Sequence, residues 1–457
     1  MSKPDLWQHQ SQTKAFYKPK AIGLDTSDPG TGKTRSHLEV FAERPERGRL
    51  LVVCPKTLMK SAWGNDIEAF TSQLTYSLAY AGKREQAFGL KTDVVIINHD
   101  GIKELVDNPQ WLKGFTDIII DEITAFKHRT SQRTKAAFWL RRKFERRFGL
   151  TGTPNPVSVT ELWAPMYILD DGRRLGAAFG AFRNATQTYK QIGPGVHHIK
   201  WEDMPGSQMA VASLLKDVVI RHDFEEVMSH VPPNHRHVKR FDLARKARTV
   251  YDTLEDEAVA LLGEQVVSAV HKAALRTKLL QVASGAVYDS DGGYVLIDRT
   301  RYELVAELIE PVAHSLVFFN WKHQRDELAK EFESQDIRFA VIDGDTSQRE
   351  RDRIVADFQA GKYKTLLMHP ATGAHGLTLT RGTMTVIVSP FDRADFLKQV
   401  IHRVYRGTQD QITNTVLIEA NDTIEKHVYD QLNGKYGRML DLLDLMKLRK
   451  GDMRATK

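Results

Sequence analysis

Ser27-Asp28-Pro29-Gly30-Thr31-Gly32-Lys33-Thr34 is the segment whose residue types and spacing are best suited to chemistry. Glycines let a backbone wrap tightly, so that successive N–H groups and the N-terminus of the next helix point at one anion. In such a loop Asp28, Pro29, Gly30, Thr31 and Gly32 shape a phosphate cradle. Lys33 would neutralise β- and γ-phosphate charge, and Thr34 would place its hydroxyl on Mg2+. The spacing departs from the common P-loop only at its first glycine, where Ser27 stands. Downstream, Ile118-Ile119-Ile120-Asp121-Glu122 is an apolar run ending in two acids. A strand of this kind delivers both carboxylates to the C-terminal edge of an open α/β sheet, where ligands bind. Asp121 would then enter the Mg2+ shell, and Glu122 would orient or deprotonate an attacking water. Taken alone, such a pair is as often a helix N-terminal acid; its place after the glycine loop gives it the catalytic reading. ATP or another nucleoside triphosphate, with Mg2+, is the ligand these residues predict.

These groups need a sheet to hold them. Leu50–Pro55, Asp93–Asn98, Asp117–Asp121 and Arg147–Thr151 are short, nearly continuous apolar runs, as in parallel strands covered on both faces. Helix-compatible segments separate them, which predicts βαβ units. The stretch from about Glu161 to Ala286 reads instead as helical, with patterns over Ala244–Leu262 and Val266–Val282. The strand rhythm returns at Ser315–Phe319, Phe339–Ile342, Thr365–Met368, Thr385–Val388 and Asn414–Ile418. The expected fold class is α/β, with two parallel-sheet lobes and helical insertions between them. The expected boundaries are 1–160 for lobe 1, 161–290 for the insertion and linker, 291–435 for lobe 2 and 436–457 for a closing helix.

Several further segments narrow the class. Leu150-Thr151-Gly152-Thr153-Pro154 closes the first strand series, and Gln399-Val400-Ile401-His402-Arg403-Val404-Tyr405-Arg406-Gly407-Thr408-Gln409 lies late in the second. Leu6-Trp7-Gln8-His9-Gln10 precedes the glycine loop; Pro55-Lys56-Thr57-Leu58 and Trp63 follow it. Phe339–Ser347, with Arg349 and Arg351, lies in the second series. Taken in order from Leu6 to about Lys435, the chain resembles the SNF2 family of superfamily 2 helicases, and in its compactness the small members encoded by phages. His369–Thr380 is similar to the phage type. The resemblance implies two RecA-like lobes with ATP in the cleft. It makes Gln10 an adenine sensor and Thr151, Gly152, Thr153 and Gly376 coupling residues between phosphate state and lobe movement. It makes Arg403 and Arg406 arginine fingers supplied in cis. It also implies that both lobes grip a DNA backbone, with Lys56, Lys127, Arg129, Arg133, Thr346, Arg349, Thr378 and Thr380 as the candidate contacts. Such a grip uses phosphates and is largely independent of base sequence.

Composition bounds the rest. The chain of 457 residues carries a net charge of +7 and one cysteine, Cys54. One cysteine excludes an internal disulfide framework and a Cys-cluster zinc site. No apolar run approaches the roughly 20 residues of a membrane span, and the first ten residues lack a secretory pattern, so a cytoplasmic protein is expected. The modest positive charge permits a polyanionic partner without requiring one. Some stretches have a blander reading. Arg141–Arg147 is expected to be a solvated helix end, His235-Arg236-His237 an exposed loop, and Cys54 core. Leu442, Leu443, Leu445, Met446 and Leu448 read as a helix packed back on the lobes, although a protein partner would also suit that stripe. The expected activity is ATP-dependent translocation on duplex DNA. A strand-separating or branch-migrating helicase and a nucleotide-gated DNA-binding protein are the alternatives.

Overall fold

The structure is a computed structural model, describing residues 4–154, 157–191, 199–263, 269–289, 291–373, 377–391 and 393–447. The chain divides into two units, residues 1–229 with 435–457, and residues 230–434.

The first unit is built on a seven-stranded parallel sheet. Its strands are β1 (Ile22–Asp25), β2 (Arg49–Cys54), β3 (Tyr76–Ala79), β4 (Val94–Asn98), β5 (Phe115–Asp121) and β6 (Arg146–Leu150). A two-stranded antiparallel hairpin follows, β7 (Gln187–Gln191) with β8 (Ile199–Asp203), and then β9 (Val219–Ile220) returns to the sheet. The order is β3-β4-β2-β5-β6-β1-β9. The apolar runs of β2, β4 and β5 are buried on both faces, which is why they lack the alternation of half-exposed strands. Helices cover each side. One core joins Val53, Val95, Ile97, Ile118 and Ile120 to Leu162, Met166 and Leu169; the other joins Leu50, Val52 and Ile119 to Leu38, Trp63 and Ile67.

The second unit holds a six-stranded, fully parallel sheet in the order β10-β17-β16-β13-β15-β14. These are β10 (Asn234–Phe241), β13 (Ser315–Phe318), β14 (Phe339–Ile342), β15 (Thr365–Met368), β16 (Met384–Ile387) and β17 (Thr413–Ala420). A small antiparallel pair, β11 (Ala286–Tyr288) with β12 (Tyr294–Leu296), precedes β13. Two parallel-sheet α/β lobes are therefore present, as the sequence pattern predicts.

The middle of the chain differs from the helical reading. Residues 161–290 do contain helices, Arg245–Gly263 and Ala269–Ala283 among them. They also give β9 to the first sheet and β10 to the second. Val219–Ile220 is too short to show a period. Asn234–Phe241 is exposed along most of its length, so its composition is that of a loop. His235-Arg236-His237 accordingly lies in an edge strand and not a loop. The Arg141–Arg147 run is likewise not solvated throughout: Arg141 and Arg147 are buried and both bind the Asp171 carboxylate, at 2.7 and 2.8 Å. Cys54 is fully buried. The closing helix begins at Ile424 and runs to Lys447, and its Leu442 joins the first unit's core. Met446 and Leu448 lie outside the residues whose side chains are described.

Candidate nucleotide site

Three segments of the first unit leave the sheet from one row of residues. Asp25 of β1 pairs with Leu150 of β6, and Leu150 pairs with Asp121 of β5. In a parallel sheet all three strands end at the same edge, so the glycine loop, the two acids and the Thr-Gly-Thr-Pro turn emerge side by side. A backbone bond from Thr151 N–H to the Asp25 carbonyl, 2.9 Å, ties the first and last together.

The glycine loop is shaped by two left-handed residues, Gly30 at φ 86° and Gly32 at φ 76°. Side chains other than glycine resist this region. Gly32 has a second reason, because a Cβ there would fall 2.2 Å from Gln10 Nε2. Gln10 donates from that nitrogen to the Gly32 carbonyl at 3.2 Å and accepts at Oε1 from the Trp7 N–H at 3.0 Å. Trp7 stacks on His9 with centroids 5.6 Å apart, and His9 Nε2 binds the Thr31 carbonyl at 2.7 Å. Burial lowers the His9 pKa. Helix Gln8–Tyr17 thus reaches the loop through two side chains, only one of which the sequence marked.

Lys33 begins helix Lys33–Ala42 and folds back into the loop. Its ammonium donates to the Ser27 and Asp28 carbonyls at 2.7 and 3.0 Å. A cation gathered by weak neutral acceptors inside a glycine loop is what a phosphate oxygen displaces with gain. Thr34 lies half-buried one residue on.

Asp121 is 9 % exposed; Oδ2 accepts from Trp63 Nε1 at 3.0 Å and Oδ1 from the Glu122 N–H, also at 3.0 Å. Burial raises its pKa against the pull of the Trp63 bond and the Lys33 charge. A buried carboxylate oriented by donors and facing a lysine fits a divalent cation. Glu122 takes the left-handed conformation, φ 50° and ψ 52°. For a non-glycine residue that costs on the order of 1–3 kcal/mol, and such strain gathers at functional positions. Neighbouring Asp25 is fully buried. Burial alone would raise its pKa, but the His37 hydrogen bond at 3.2 Å and charge, with Lys33, take it below the usual carboxylate value.

The loop is also braced from behind by residues that sequence reasoning missed. Arg221 donates to Asp28 Oδ1 at 2.8 Å, to the Thr26 carbonyl at 3.2 Å and to Asp223 Oδ2 at 3.1 Å. The His222 N–H donates to Ser27 Oγ at 3.0 Å, and the Phe224 N–H to Asp28 Oδ2 at 3.1 Å. No sequence signal links positions nearly two hundred apart; the connection exists because β9 pairs with β1. The Thr-Gly-Thr-Pro turn closes the other side. Thr151 and Thr153 are buried, and a Cβ on Gly152 would fall 2.8 Å from Cδ of Pro29.

In the second unit Arg403 is 3 % exposed, donating from Nε to the Gln399 carbonyl at 2.9 Å and from Nη1 to Leu377 O at 3.0 Å. Arg406 is half-buried, donating to the His402 carbonyl at 2.8 Å and to Thr378 Oγ1 at 3.0 Å. The two arginines therefore differ: one is built into the lobe, the other reaches its rim. Gly376 lies outside the described residues.

The candidate DNA contacts are placed unequally. Lys56, Arg129, Arg349 and Thr378 are exposed, and Thr380 is half-buried, its carbonyl accepting from Gln409. Lys127 is held by Glu161 at 2.7 Å and Arg133 by Asp100 at 2.9 Å; the Thr346 hydroxyl binds Asp343 at 3.2 Å.

Parallel α/β lobes, a lysine-bearing glycine loop and an acidic strand end on the same sheet row define a P-loop nucleotide hydrolase with helicase-type lobes. The comparisons with known proteins narrow this class. Residues 15–284, more than half of the chain, match the SNF2-related domain, and residues 300–408 match the helicase conserved C-terminal domain. The chain belongs to the SNF2-related family and is an ATP-hydrolysing enzyme of the helicase class. It is 28% identical over 442 residues to protein p41 of Acyrthosiphon pisum secondary endosymbiont phage 1, covering 92% of this chain and 93% of that one. It is 23% identical over 432 residues to the SWI/SNF-related matrix-associated actin-dependent regulator of chromatin subfamily A-like protein 1 of Xenopus tropicalis. It is also 23% identical to the human DNA annealing helicase and endonuclease ZRANB3, over 430 residues. The matches cover 90% and 89% of this chain but only 42% and 37% of those longer proteins. Among solved structures, the Sulfolobus solfataricus SWI2/SNF2 ATPase core in complex with dsDNA is similar, at 19% identity and a TM-score of 0.44, over 99% of this chain and 97% of that one. Among the described residues no helix is long and apolar enough to cross a membrane.

Proposed function

We propose that this protein is a motor that uses Mg2+ and ATP to move along the backbone of duplex DNA. The observation that carries the nucleotide half of this reading is the shared sheet row at Asp25, Leu150 and Asp121, from which the glycine loop, the acid pair and the Thr-Gly-Thr-Pro turn all depart. Bound Mg·ATP supplies a phosphoryl group whose transfer to water leaves negative charge to be stabilised. Asp28 through Gly32 shape the cradle, and Lys33 exchanges its loop carbonyls for phosphate oxygens. Thr34 and Asp121 would hold the metal. Glu122 takes the proton of the attacking water, with its strained backbone fixing where that carboxylate starts. Arg406, at the rim of its lobe, adds the second unit's charge, with Arg403 holding the segment beneath it. Thr151, Gly152 and Thr153 sense the loop directly, since Gly152 lies against Pro29. Gln10 reports on the adenine end.

The DNA half rests on family membership and on the exposed Lys56, Arg129, Arg349 and Thr378, which suit backbone contact. Steady-state ATPase rates with no nucleic acid, single strands, duplex DNA and RNA test the reading. Duplex DNA is expected to stimulate the wild type, and Glu122→Gln to abolish turnover while retaining ATP binding. Stimulation by RNA alone would overturn the duplex-DNA assignment.

A further inference from the structure

Helix Phe179–Thr186 runs straight into β7 of the hairpin, and its first and second turns carry Phe179 and Arg183 on one face. Around them lies a cavity of about 340 Å3, walled by Arg129, Phe138, Trp163, Phe179 and Arg183. Trp163 is buried and meets Phe179 edge-on, with centroids 5.5 Å apart and planes at 75°. The Arg129 guanidinium sits 4.6 Å and that of Arg183 5.8 Å from the Phe179 ring centre. Arg183 continues outward to lie 4.0 Å over Trp201 of β8, and Trp201 in turn meets Tyr189 of β7 at 5.5 Å. Tyr189 is 61% exposed.

One feature separates this cluster from ordinary packing. Among the described residues neither guanidinium has an ion-pair or hydrogen-bond partner; both pack against aromatic rings alone. Arg183 Nε is buried without an acceptor, as is Nε of Arg147 and Arg221, so the absence of any acceptor for the rest of the guanidinium is what distinguishes it. Guanidiniums elsewhere in this unit do find carboxylates: Arg133 with Asp100, Arg141 and Arg147 with Asp171, Arg174 with Asp217. An aromatic cavity flanked by two uncompensated cations, continuing into exposed rings, matches a ligand that is planar and anionic in alternation. Stacking platforms interleaved with positive charge are how single-stranded nucleic acid is bound without sequence preference.

We infer that this pocket and the β7–β8 hairpin bind unpaired nucleotides of a DNA strand, with a base in the Trp163–Phe179 cavity and its phosphates on Arg129 and Arg183. The assignment rests on the DNA-motor reading above and adds a substrate class to it: duplex with a single-stranded arm. The platform shares no residue with the nucleotide site and only Arg129 with the proposed duplex contacts, so its aromatic groups add affinity for the arm and leave hydrolysis unchanged.

The test uses the full chain and fluorescence anisotropy at one fixed salt concentration. The probes are a blunt duplex, the same duplex with an oligo-dT arm, and dTMP. Wild type is expected to prefer the armed duplex. Phe179→Leu should weaken binding of the arm by roughly tenfold, within the usual range for losing one stacked base. Phe179→Tyr should restore it, and both variants should keep wild-type affinity for, and stimulation by, the blunt duplex. Equal binding of blunt and armed duplex by wild type overturns the proposal. So does an unchanged preference in Phe179→Leu, a loss that Phe179→Tyr shares, or dTMP binding as tightly as the arm. Blunt-duplex stimulation reports separately on the motor reading, so the two can fail independently.

Discussion

Gly152→Ala tests how the Thr-Gly-Thr-Pro turn communicates with the nucleotide loop. The added methyl would stand 2.8 Å from Pro29 Cδ, 3.1 Å from its Cγ and 3.5 Å from its nitrogen. Carbon atoms in contact prefer roughly 3.5–4.0 Å, so loop and turn must separate by about half an ångström or more. Neither can do so freely. Thr151 is bonded to the Asp25 carbonyl, and the loop is held by Arg221, His222 and Phe224. Overpacking of this kind costs about 1–3 kcal/mol. The strain falls on the loop proposed to bind phosphate, so a tenfold rise in KM for ATP corresponds to about 1.4 kcal/mol of it. Pro29→Ala removes Cγ and Cδ, the two nearest atoms. The double variant should therefore recover most of the loss, with a coupling energy above about 0.5 kcal/mol in a double-mutant cycle. Steady-state ATPase kinetics on the four proteins provide the measurement. A wild-type KM in Gly152→Ala, or a defect that Pro29→Ala leaves intact, would refute the argument that contact with the loop dictates this glycine.

Three further outcomes follow from other contacts. Arg221→Met removes the guanidinium bonded to the buried Asp28 carboxylate and should cost about 3–5 kcal/mol in urea unfolding of the first unit; adding Asp28→Asn should return most of it, and no recovery would show the pair is not the cause. Arg403→Ala should lower the thermal midpoint, because it orphans the buried Leu377 carbonyl at a cost of about 1–3 kcal/mol. Arg406→Ala should leave that midpoint alone and cut kcat, by as much as about 10³-fold for a lost arginine finger; the reverse pattern would exchange their roles. Burial pushes the His323 imidazole down to about 3, so the folded state binds fewer protons than the unfolded one between that value and the ordinary 6.5. Stability should therefore fall as pH drops through this window, by up to about 1.4 kcal/mol per pH unit. The pH dependence of unfolding of the second unit should flatten in His323→Gln; an unaltered slope would place the effect elsewhere.

The nucleotide site was legible because its parts are local. A glycine loop, an apolar run ending in two acids and a Thr-Gly-Thr-Pro turn each carry their geometry within a few residues. Ile22–Asp25, the strand that launches the loop, was not read as one, being only four residues long and not apolar throughout. Trp63 could be matched to a family block, but its hydrogen bond to Asp121 could not, since fifty-eight positions separate donor and acceptor. Arg403 and Arg406 read alike, as arginines three apart beside a strand series. Only packing against Leu377 or Thr378 makes one a support and the other a surface group.

The sequence by itself determined two parallel-sheet α/β lobes and marked the candidate phosphate, metal and water-activating residues. Apolar periodicity and loop chemistry act over short stretches of chain, and both can be read in one dimension. The tertiary structure decided what supports those residues: Arg221 behind the loop, Gly152 against Pro29, and β9 and β10 drawn from an apparently helical middle into separate sheets. It likewise assembled Arg129, Phe138, Trp163 and Arg183 around one cavity from four separate segments. Long-range strand pairing and side-chain packing create these relations, and a residue's type does not record which distant partner will neutralise, brace or stack upon it.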